Sequence, residues 1–196
     1  IAFESGKASV ASTATLVAEV LLKQTNNPPP SLSTLLIGVI LLDSVNLDES
    51  IGKVTSRDRD AVSHLSSQTD WDSSALRAYL RPSDDKLVVD TNQLFSHLER
   101  AKYSPEFWES FSVERALEYD YKEFLYGGEN AEQRFGVSTI LMPGAQFMEK
   151  EGFLSKTAGF MRSKEVKFLG IMFTFYDLTT GDFRRQLTFC SSGYKL

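Results

Sequence analysis

The run LLIGVILL at residues 35–42 contains only apolar residues and one glycine, and it ends directly at an acid, Asp43. A membrane-spanning helix needs about 20 such residues, so a run this short predicts a buried segment of a folded core. Ser31 or Ser33 can cap a helix that reads through this run, and a buried strand is the alternative. A carboxylate at this place is costly, because burial of an unpaired charge costs several kcal/mol.

The sequence leaves three roles open for Asp43. It binds a metal ion, it accepts hydrogen bonds from backbone N–H groups, or it lies at the surface where the helix ends. The remaining sequence contains no Ser/His/Asp spacing, no glycine-rich phosphate loop and no Cys/His metal cluster. The pattern alone therefore identifies no catalytic residue.

Two basic residues in the second half are candidates for an anion site. Lys122, in the stretch YDYKEF, follows a short predicted helix and begins a predicted strand, where a solvated lysine is the alternative. Arg185 lies on the predicted strand FRRQLTF and shares one face with Phe183, Leu187 and Phe189. An arginine on an apolar face needs a buried carboxylate or an anionic ligand as its partner, and a salt bridge at the sheet edge is the alternative.

Charge and cysteine content narrow the class of protein. The 196 residues carry a net charge of -5, which gives no basic excess for nucleic acid or for an anionic membrane surface. The single cysteine, Cys190, excludes an internal disulfide framework and predicts a cytoplasmic location. The chain lacks a starting methionine and an apolar signal segment, and we interpret it as a fragment or a processed chain.

The two halves of the sequence have different periodicities. Residues 12–24 have the apolar spacing of an amphipathic helix, and residues 56–67 read as a solvated helix. After Asp120 the pattern predicts strands, at residues 134–142, 167–177 and 183–190. A predicted helix at 145–163 separates the first two strands. The sequence thus predicts an α/β protein that is mainly helical at first and then forms a mixed sheet with covering helices.

Several segments in a fixed order resemble one known family: SVASTATLVAEVLL, LLIGVILLDSVNLDESIGKVTSRD, FSVERALEYDYKEF, FGVSTILMP and FRRQLTF. The sequence is similar to the DHH phosphoesterase superfamily, in the branch that holds Prune proteins and cytosolic exopolyphosphatases. Family II inorganic pyrophosphatases are more distant relatives. The resemblance implies the C-terminal portion of a parallel α/β DHH domain at 1–65, a linker at 66–85 and a C-terminally incomplete DHHA2 domain at 86–196.

The resemblance also implies roles for individual residues. An aspartate after an apolar run, followed by a small hydroxyl residue, is a metal ligand in the family, and LLDS makes Asp43 that ligand. The family's phosphate-binding lysine lies in a D-x-K-x-F stretch, which here is DYKEF and gives Lys122. Arg185 matches an arginine that recurs in the Prune and exopolyphosphatase branch. The implied cofactors are divalent cations, Mn²⁺ or Mg²⁺, with Co²⁺ as a further option.

The implied function is metal-dependent hydrolysis of a phosphoanhydride, which releases phosphate from inorganic polyphosphate or pyrophosphate with water activated by two metal ions. The superfamily's first three metal-binding motifs would precede Ile1, so we expect this chain alone to be inactive. One alternative is a catalytically inactive Prune-like interaction or regulatory module with protein partners. Another is a cyclic-nucleotide phosphodiesterase. No nucleic-acid or membrane partner is expected.

Overall fold

The computed structural model describes residues 3–4, 7–25, 27–80, 89–126 and 133–191. The chain divides into two compact units, Ile1–Arg100 and Ala101–Leu196. The linker predicted at 66–85 falls inside the first unit and contains a helix. Residues 81–88, which include the end of that linker and the start of the predicted second domain, lie outside the described residues. The linker stays a prediction.

The first unit is mainly helical, as the sequence predicts. Two short strands, Phe3–Glu4 (β1) and Lys7–Ala8 (β2), pair antiparallel at its start. Its helices follow in chain order as α1 (Thr13–Gln24), α2 (Pro30–Ser44), α3 (Ser56–Ser67), α4 (Ser74–Leu80) and α5 (Thr91–Lys102). A 3-10 turn at Glu49–Ile51 lies between α2 and α3. Among the described residues of the chain, no helix is long and apolar enough to cross a membrane.

Helix α2 carries the apolar run, so the alternative of a buried strand is wrong. The helix begins at Pro30, which fits a first helical turn because its missing N–H would have no partner there. Neither Ser31 nor Ser33 is its N-cap, and the predicted caps are therefore wrong. The apolar side chains that it buries pack in one core with α1 and α3, and they are Leu36, Ile37, Ile40 and Leu41.

Helix α3 is less solvated than the sequence predicts. Its sequence, SRDRDAVSHLSS, is polar on average, but one face is buried. Ala61, Val62 and Leu65 on that face join the core of the first unit. Asp58 lies on the same helix and is also buried. The average polarity of the helix does not reveal this buried face, because most charged residues of α3 point away from the core.

The second unit is built around a four-stranded mixed sheet with the order β3-β4-β5-β6. The central strands β4 and β5 are parallel, and both outer pairs are antiparallel. Its elements follow in chain order as α6 (Pro105–Glu109), α7 (Val113–Tyr119), β3 (Tyr121–Tyr126), β4 (Gln133–Ile140), α8 (Gly144–Met148), α9 (Phe153–Ser163), β5 (Phe168–Tyr176) and β6 (Phe183–Ser191). The predicted single helix at 145–163 is two helices, since the chain turns at Gly152 with a φ of 72°.

One face of this sheet is covered by helices and the other is open. On the covered face, Ile140, Ile171 and Phe173 pack against α7, α8 and α9 in the core of the second unit. The open face carries the alternate residues of each strand, and many of these are aromatic or aliphatic and exposed. They include Phe124, Phe168, Tyr176, Phe183, Leu187 and Phe189.

Candidate functional site

Asp43 lies in the last turn of α2, where the apolar run ends. Its side chain is exposed, and Oδ2 accepts a 2.6 Å hydrogen bond from the hydroxyl of Ser12. The desolvation suggested by the sequence therefore does not arise. The position is still unfavourable for an acid, because the C-terminal end of a helix carries the negative end of its dipole.

The chemistry of Asp43 fits one ligand of a hard divalent cation. Of its two oxygens, only Oδ2 is held by a described residue, which leaves Oδ1 for a cation. Carboxylate oxygen is the type of ligand that Mg²⁺ and Mn²⁺ prefer. In the described part of the chain, no group of three or more His, Cys, Asp or Glu side chains could hold a metal ion. These residues supply one ligand rather than a complete site, and the metal-binding role of Asp43 stays a prediction.

The chain leaves α2 through a left-handed turn. Val45, Asn46 and Leu47 have φ values of 51°, 58° and 61°, in a region that non-glycine residues rarely adopt. The buried hydroxyl of Ser44 holds this turn, since it donates to the carbonyl oxygen of Ile40 at 2.6 Å and accepts from the N–H of Leu47 at 3.0 Å. Left-handed backbone costs roughly 1–2 kcal/mol per residue, so the turn stores strain directly after the candidate ligand.

Asp58 is a buried acid of the first unit, and the sequence does not single it out. Its exposed fraction is 0%. Its carboxylate accepts hydrogen bonds from five donors, which are the N–H groups of Ala11, Ser12 and Thr55 and the hydroxyls of Thr15 and Thr55. Burial alone raises the pKa of Asp58, but the hydrogen bonds from Thr15, Ala11 and Thr55 outweigh it and lower the pKa below its ordinary value.

Only part of the environment of Asp58 has a local signal in the sequence. Thr55 and Asp58 form a capping box at the start of α3, in which Asp58 accepts from the N–H of Thr55 at 2.9 Å. This spacing could have marked the start of the helix. The donors from Ala11, Ser12 and Thr15 are more than 40 residues away in the chain, so no local pattern predicts them.

Lys122 lies near the start of β3, on the open face of the sheet. Its ammonium group is exposed and bonds Oδ1 of Asp120 at 2.9 Å. An ion pair between two exposed groups contributes little to stability, so the ammonium can exchange this partner for a phosphate oxygen at low cost. The predicted strand position of Lys122 is confirmed, and its predicted phosphate binding remains a prediction.

Arg185 also lies on the open face, so its predicted need for a buried partner does not arise. The covered face of β6 is the polar one, where Oε1 of Gln186 accepts a 3.0 Å hydrogen bond from the N–H of Gly144. The apolar face that Arg185 shares with Leu187 is exposed, and its guanidinium lies 5.2 Å from the ring centre of Phe183. The sequence pattern of β6 predicted the correct alternation of faces. It assigned burial to the wrong face, because the apolar face is the exposed one. The anion-binding role of Arg185 stays a prediction.

Lys122 and Arg185 share a face but are far apart on it. The row of Lys122 crosses the sheet through Val137, Gly170 and Phe189. Arg185 lies four residues before the end of that row on β6. Three strand spacings and four residues of rise place the two Cα atoms roughly 20 Å apart. The two cations could therefore reach different parts of an extended anion, but they do not form one compact phosphate site.

Two open grooves elsewhere contain none of the predicted site residues. One, of about 560 Å³, lies between α1 and α3 and is lined in part by Glu19, Arg57 and His64. The other, of about 580 Å³, lies between α7 and α9 and is lined in part by Arg115 and Lys156. Arg57 and Glu19 form an ion pair within the first groove, and the hydrogen bond from Arg57 lowers the pKa of Glu19.

Similarity to known proteins extends over both units. A family model described as the DHHA2 domain matches residues 102–195. The mixed sheet of the second unit lies within the matched residues. The chain is also similar to exopolyphosphatase PRUNE1 of Rattus norvegicus and of Bos taurus, each with 29% identity over 185 residues, and to that of Homo sapiens with 28%. The resemblance predicted from the sequence is confirmed.

These alignments cover 92% of this chain and 35% of each relative, so the chain spans about a third of the length of the curated relatives it matches. The fold is similar to the crystal structure of a Methanococcus jannaschii protein described as a family II inorganic pyrophosphatase, with a TM-score of 0.58 and 17% identity. That match covers 91% of this chain and 53% of the other. It establishes the fold alone and confirms the predicted α/β class.

Proposed function

We propose that this chain is part of a metal-dependent phosphoanhydride hydrolase that releases phosphate from inorganic polyphosphate or pyrophosphate. The observation that carries the proposal is the similarity to exopolyphosphatase PRUNE1, which covers 92% of this chain and so extends beyond the residues that the DHHA2 family model matches. The proposed cofactors are Mn²⁺ or Mg²⁺, with Co²⁺ as a further option, and the proposed location is the cytoplasm.

Asp43 is the proposed metal ligand in this chain. Its Oδ2 is directed by the hydroxyl of Ser12, and its Oδ1 is open to a cation. A bound divalent cation supplies positive charge next to the phosphate and a water of lowered pKa. The position of Asp43 at the C-terminal end of α2 supports this role. A carboxylate at the negative end of the helix dipole is destabilised, and a bound cation would offset this effect.

Lys122 and Arg185 are the proposed phosphate-binding residues. Lys122 would exchange the Asp120 carboxylate for a phosphate oxygen and so neutralise charge on the substrate. Arg185 has a planar guanidinium suited to two oxygens of one phosphate group. Its distance from Lys122 favours a role along an extended polyphosphate rather than on the same phosphate.

A second candidate function is that of an interaction module. The open sheet face favours it, because Leu187 and Phe189 there are 53% and 74% exposed, and large exposed apolar patches often mark protein contacts. The two functions differ in their dependence on Asp43. A module that acts through this face would not need the carboxylate.

The experiment measures phosphate release from tripolyphosphate with Mn²⁺ or Mg²⁺. We expect no appreciable release by the 196-residue chain, and release by a protein that joins this sequence to the superfamily's three upstream metal-binding motifs. In that longer protein, Asp43→Asn should lower kcat by about a hundredfold or more while the fold survives. Asp48→Asn is the matched control, since Asp48 is an exposed acid just after the same helix. Unchanged turnover in Asp43→Asn would remove this residue from the site.

A further inference from the structure

We propose that Ser12 and Asp58 are positioning residues for Asp43. Asp58 fixes the backbone of Ser12, and the hydroxyl of Ser12 holds one carboxylate oxygen of Asp43, so that the other oxygen is presented to a cation. This inference rests on the proposed function, which makes Asp43 a metal ligand. It assigns roles to two buried residues that have no place among the predicted site residues.

The hydroxyl of Ser12 has a fixed direction. It accepts a 3.2 Å hydrogen bond from the N–H of Ala14, as the N-cap of α1. A serine hydroxyl has one proton to donate, and this proton goes to Oδ2 of Asp43 at 2.6 Å. The hydrogen bond from Ala14 fixes the position of the Ser12 oxygen. The hydroxyl proton of Ser12 then fixes the orientation of the Asp43 carboxylate. Because Ser12 is only 2% exposed, water competes little for this proton.

Asp58 holds the backbone at Ser12 through hydrogen bonds. Its carboxylate accepts from the N–H of Ala11 at 3.0 and 2.9 Å and from the N–H of Ser12 at 3.4 Å. It also accepts from the hydroxyl of Thr15 at 2.6 Å, one turn into α1. On the other side it bonds the N–H of Thr55 at 2.9 Å, at the start of α3. The start of α1 is thus tied to the start of α3 through one ionised, buried group.

The consequence for Asp43 is a restricted side chain at an exposed position. A free aspartate at a helix end samples several rotamers, and a metal ion that binds it must select one of them. Ligands held in place by a neighbouring hydrogen bond bind metal more tightly, and loss of such a neighbour typically lowers metal affinity about 10–100-fold. Ser12 and Asp58 would therefore act on metal affinity without contacting the metal.

The first measurement needs no metal. Side-chain coupling constants from NMR report how many χ1 rotamers Asp43 occupies in the 196-residue chain. We expect one rotamer in the unaltered protein and averaging in Ser12→Ala. Ser112→Ala is the control, because Ser112 caps α7 in the same way, by accepting from the N–H of Arg115 at 3.2 Å, but has no bond to Asp43. Equal rotamer averaging in the unaltered protein and in Ser12→Ala would overturn the proposal.

The second measurement uses Mn²⁺ alone as the probe and follows the paramagnetic broadening of amide signals. We expect broadening centred on Asp43, and a midpoint shifted to about tenfold higher Mn²⁺ in Ser12→Ala. The control Ser112→Ala should leave the midpoint unchanged. An unshifted midpoint in Ser12→Ala overturns the proposal, and absence of any broadening at Asp43 overturns it together with the assignment of Asp43 as a ligand. Broadening that is present while phosphate release fails contradicts the proposed function alone.

The role of Asp58 is tested separately from its effect on stability. Asp58→Ala should both destabilise the first unit and release the Asp43 rotamer, since the N–H groups of Ala11 and Ser12 lose their acceptor. Thr15→Val removes another donor to Asp58 but leaves Ser12 bonded, so it should lower stability and keep a single rotamer. If both variants release Asp43 equally, Asp58 acts only through general stability and is not a positioning residue.

Discussion

Asp58 in the first unit and Lys122 in the second hold their charges in opposite ways. In the first unit, Asp58 is fully buried and its carboxylate is enclosed by hydrogen-bond donors from two helix starts. In the second unit, Lys122 and Arg185 are exposed on an open sheet face, and Lys122 has a single carboxylate partner two residues away. A charge enclosed by directional bonds holds the fold, whereas a charge with an exchangeable partner is available to a ligand.

Asp43 combines features of both regions. It is exposed, like Lys122, but one of its oxygens is held by a buried hydroxyl. A metal ligand needs this combination, since it must be accessible to the ion and already oriented when the ion arrives. The difference between Asp58 and Lys122 therefore separates a charge that maintains structure from one that is available to a ligand, and Asp43 lies between these two cases.

Asp58→Ala should show the largest difference between the units. The substitution leaves several buried donors without an acceptor, so we expect the free energy of unfolding of the first unit to fall by about 3–5 kcal/mol. Urea unfolding followed by circular dichroism measures it. Asp60→Ala on the same helix is the control, because Asp60 is exposed and its loss should change stability by less than about 0.5 kcal/mol. Similar losses of stability in both variants would contradict a contribution of the buried Asp58 carboxylate to the fold.

Acid should affect the first unit through the same residue. The pKa of Asp58 is lowered in the folded chain from its ordinary value of 3.8, so its ionised form contributes stability above pH 3.8. This contribution is lost as the pH falls through the lower folded pKa. Unfolding measured from pH 6 downwards should show this loss below about pH 4. Asp58→Asn should remove that part of the pH dependence, and an unchanged profile in the variant would contradict the role of this carboxylate.

Lys122→Ala should change binding rather than stability. In the longer protein with the upstream motifs, we expect KM for tripolyphosphate to rise about tenfold, since a charge-assisted hydrogen bond contributes about 1.5 kcal/mol or more. The rise should exceed that in Asp43→Asn, which acts on turnover. Lys156→Ala is the control, because it removes the same charge from α9, behind the covered face. An equal effect of both lysines would indicate a nonspecific response to charge.

The smallest expected effect is that of replacing a buried threonine by valine, which should change the free energy of unfolding in opposite directions in the two units. Thr157, on α9, is 3% exposed, and its buried hydroxyl has no hydrogen-bond partner among the described residues. Thr157→Val should raise the free energy of unfolding by about 0.5–1 kcal/mol, because the variant keeps the shape and removes an unpaired polar group. Thr15→Val should lower it, because the hydroxyl of Thr15 donates to Asp58. Thermal unfolding of the two variants compares them, and destabilisation by Thr157→Val would mean that this hydroxyl has a partner after all.

The sequence predicted the helices and strands better than it predicted the environment of its charges. The strand of Arg185 follows from local alternation, whereas the apolar run of α2 has no helical period and left a buried strand as the alternative. Burial of Asp58 depends on residues more than 40 positions away, which no periodicity records. The buried side of β6 was misjudged because apolar residues there face outwards, while Gln186 faces the helices and bonds a backbone N–H.

The placement of Lys122 and Arg185 on the two outer strands has a consequence for amide hydrogen exchange. Strand β5 is paired on both sides, by β4 and β6, whereas β3 and β6 each have one neighbour among the described strands. Outward-facing amides of the outer strands should exchange with solvent faster than those of β5, because local opening there breaks fewer bonds. We therefore expect both candidate phosphate-binding residues to lie where the sheet opens most readily, on strands that adjust to an anion while β5 stays paired.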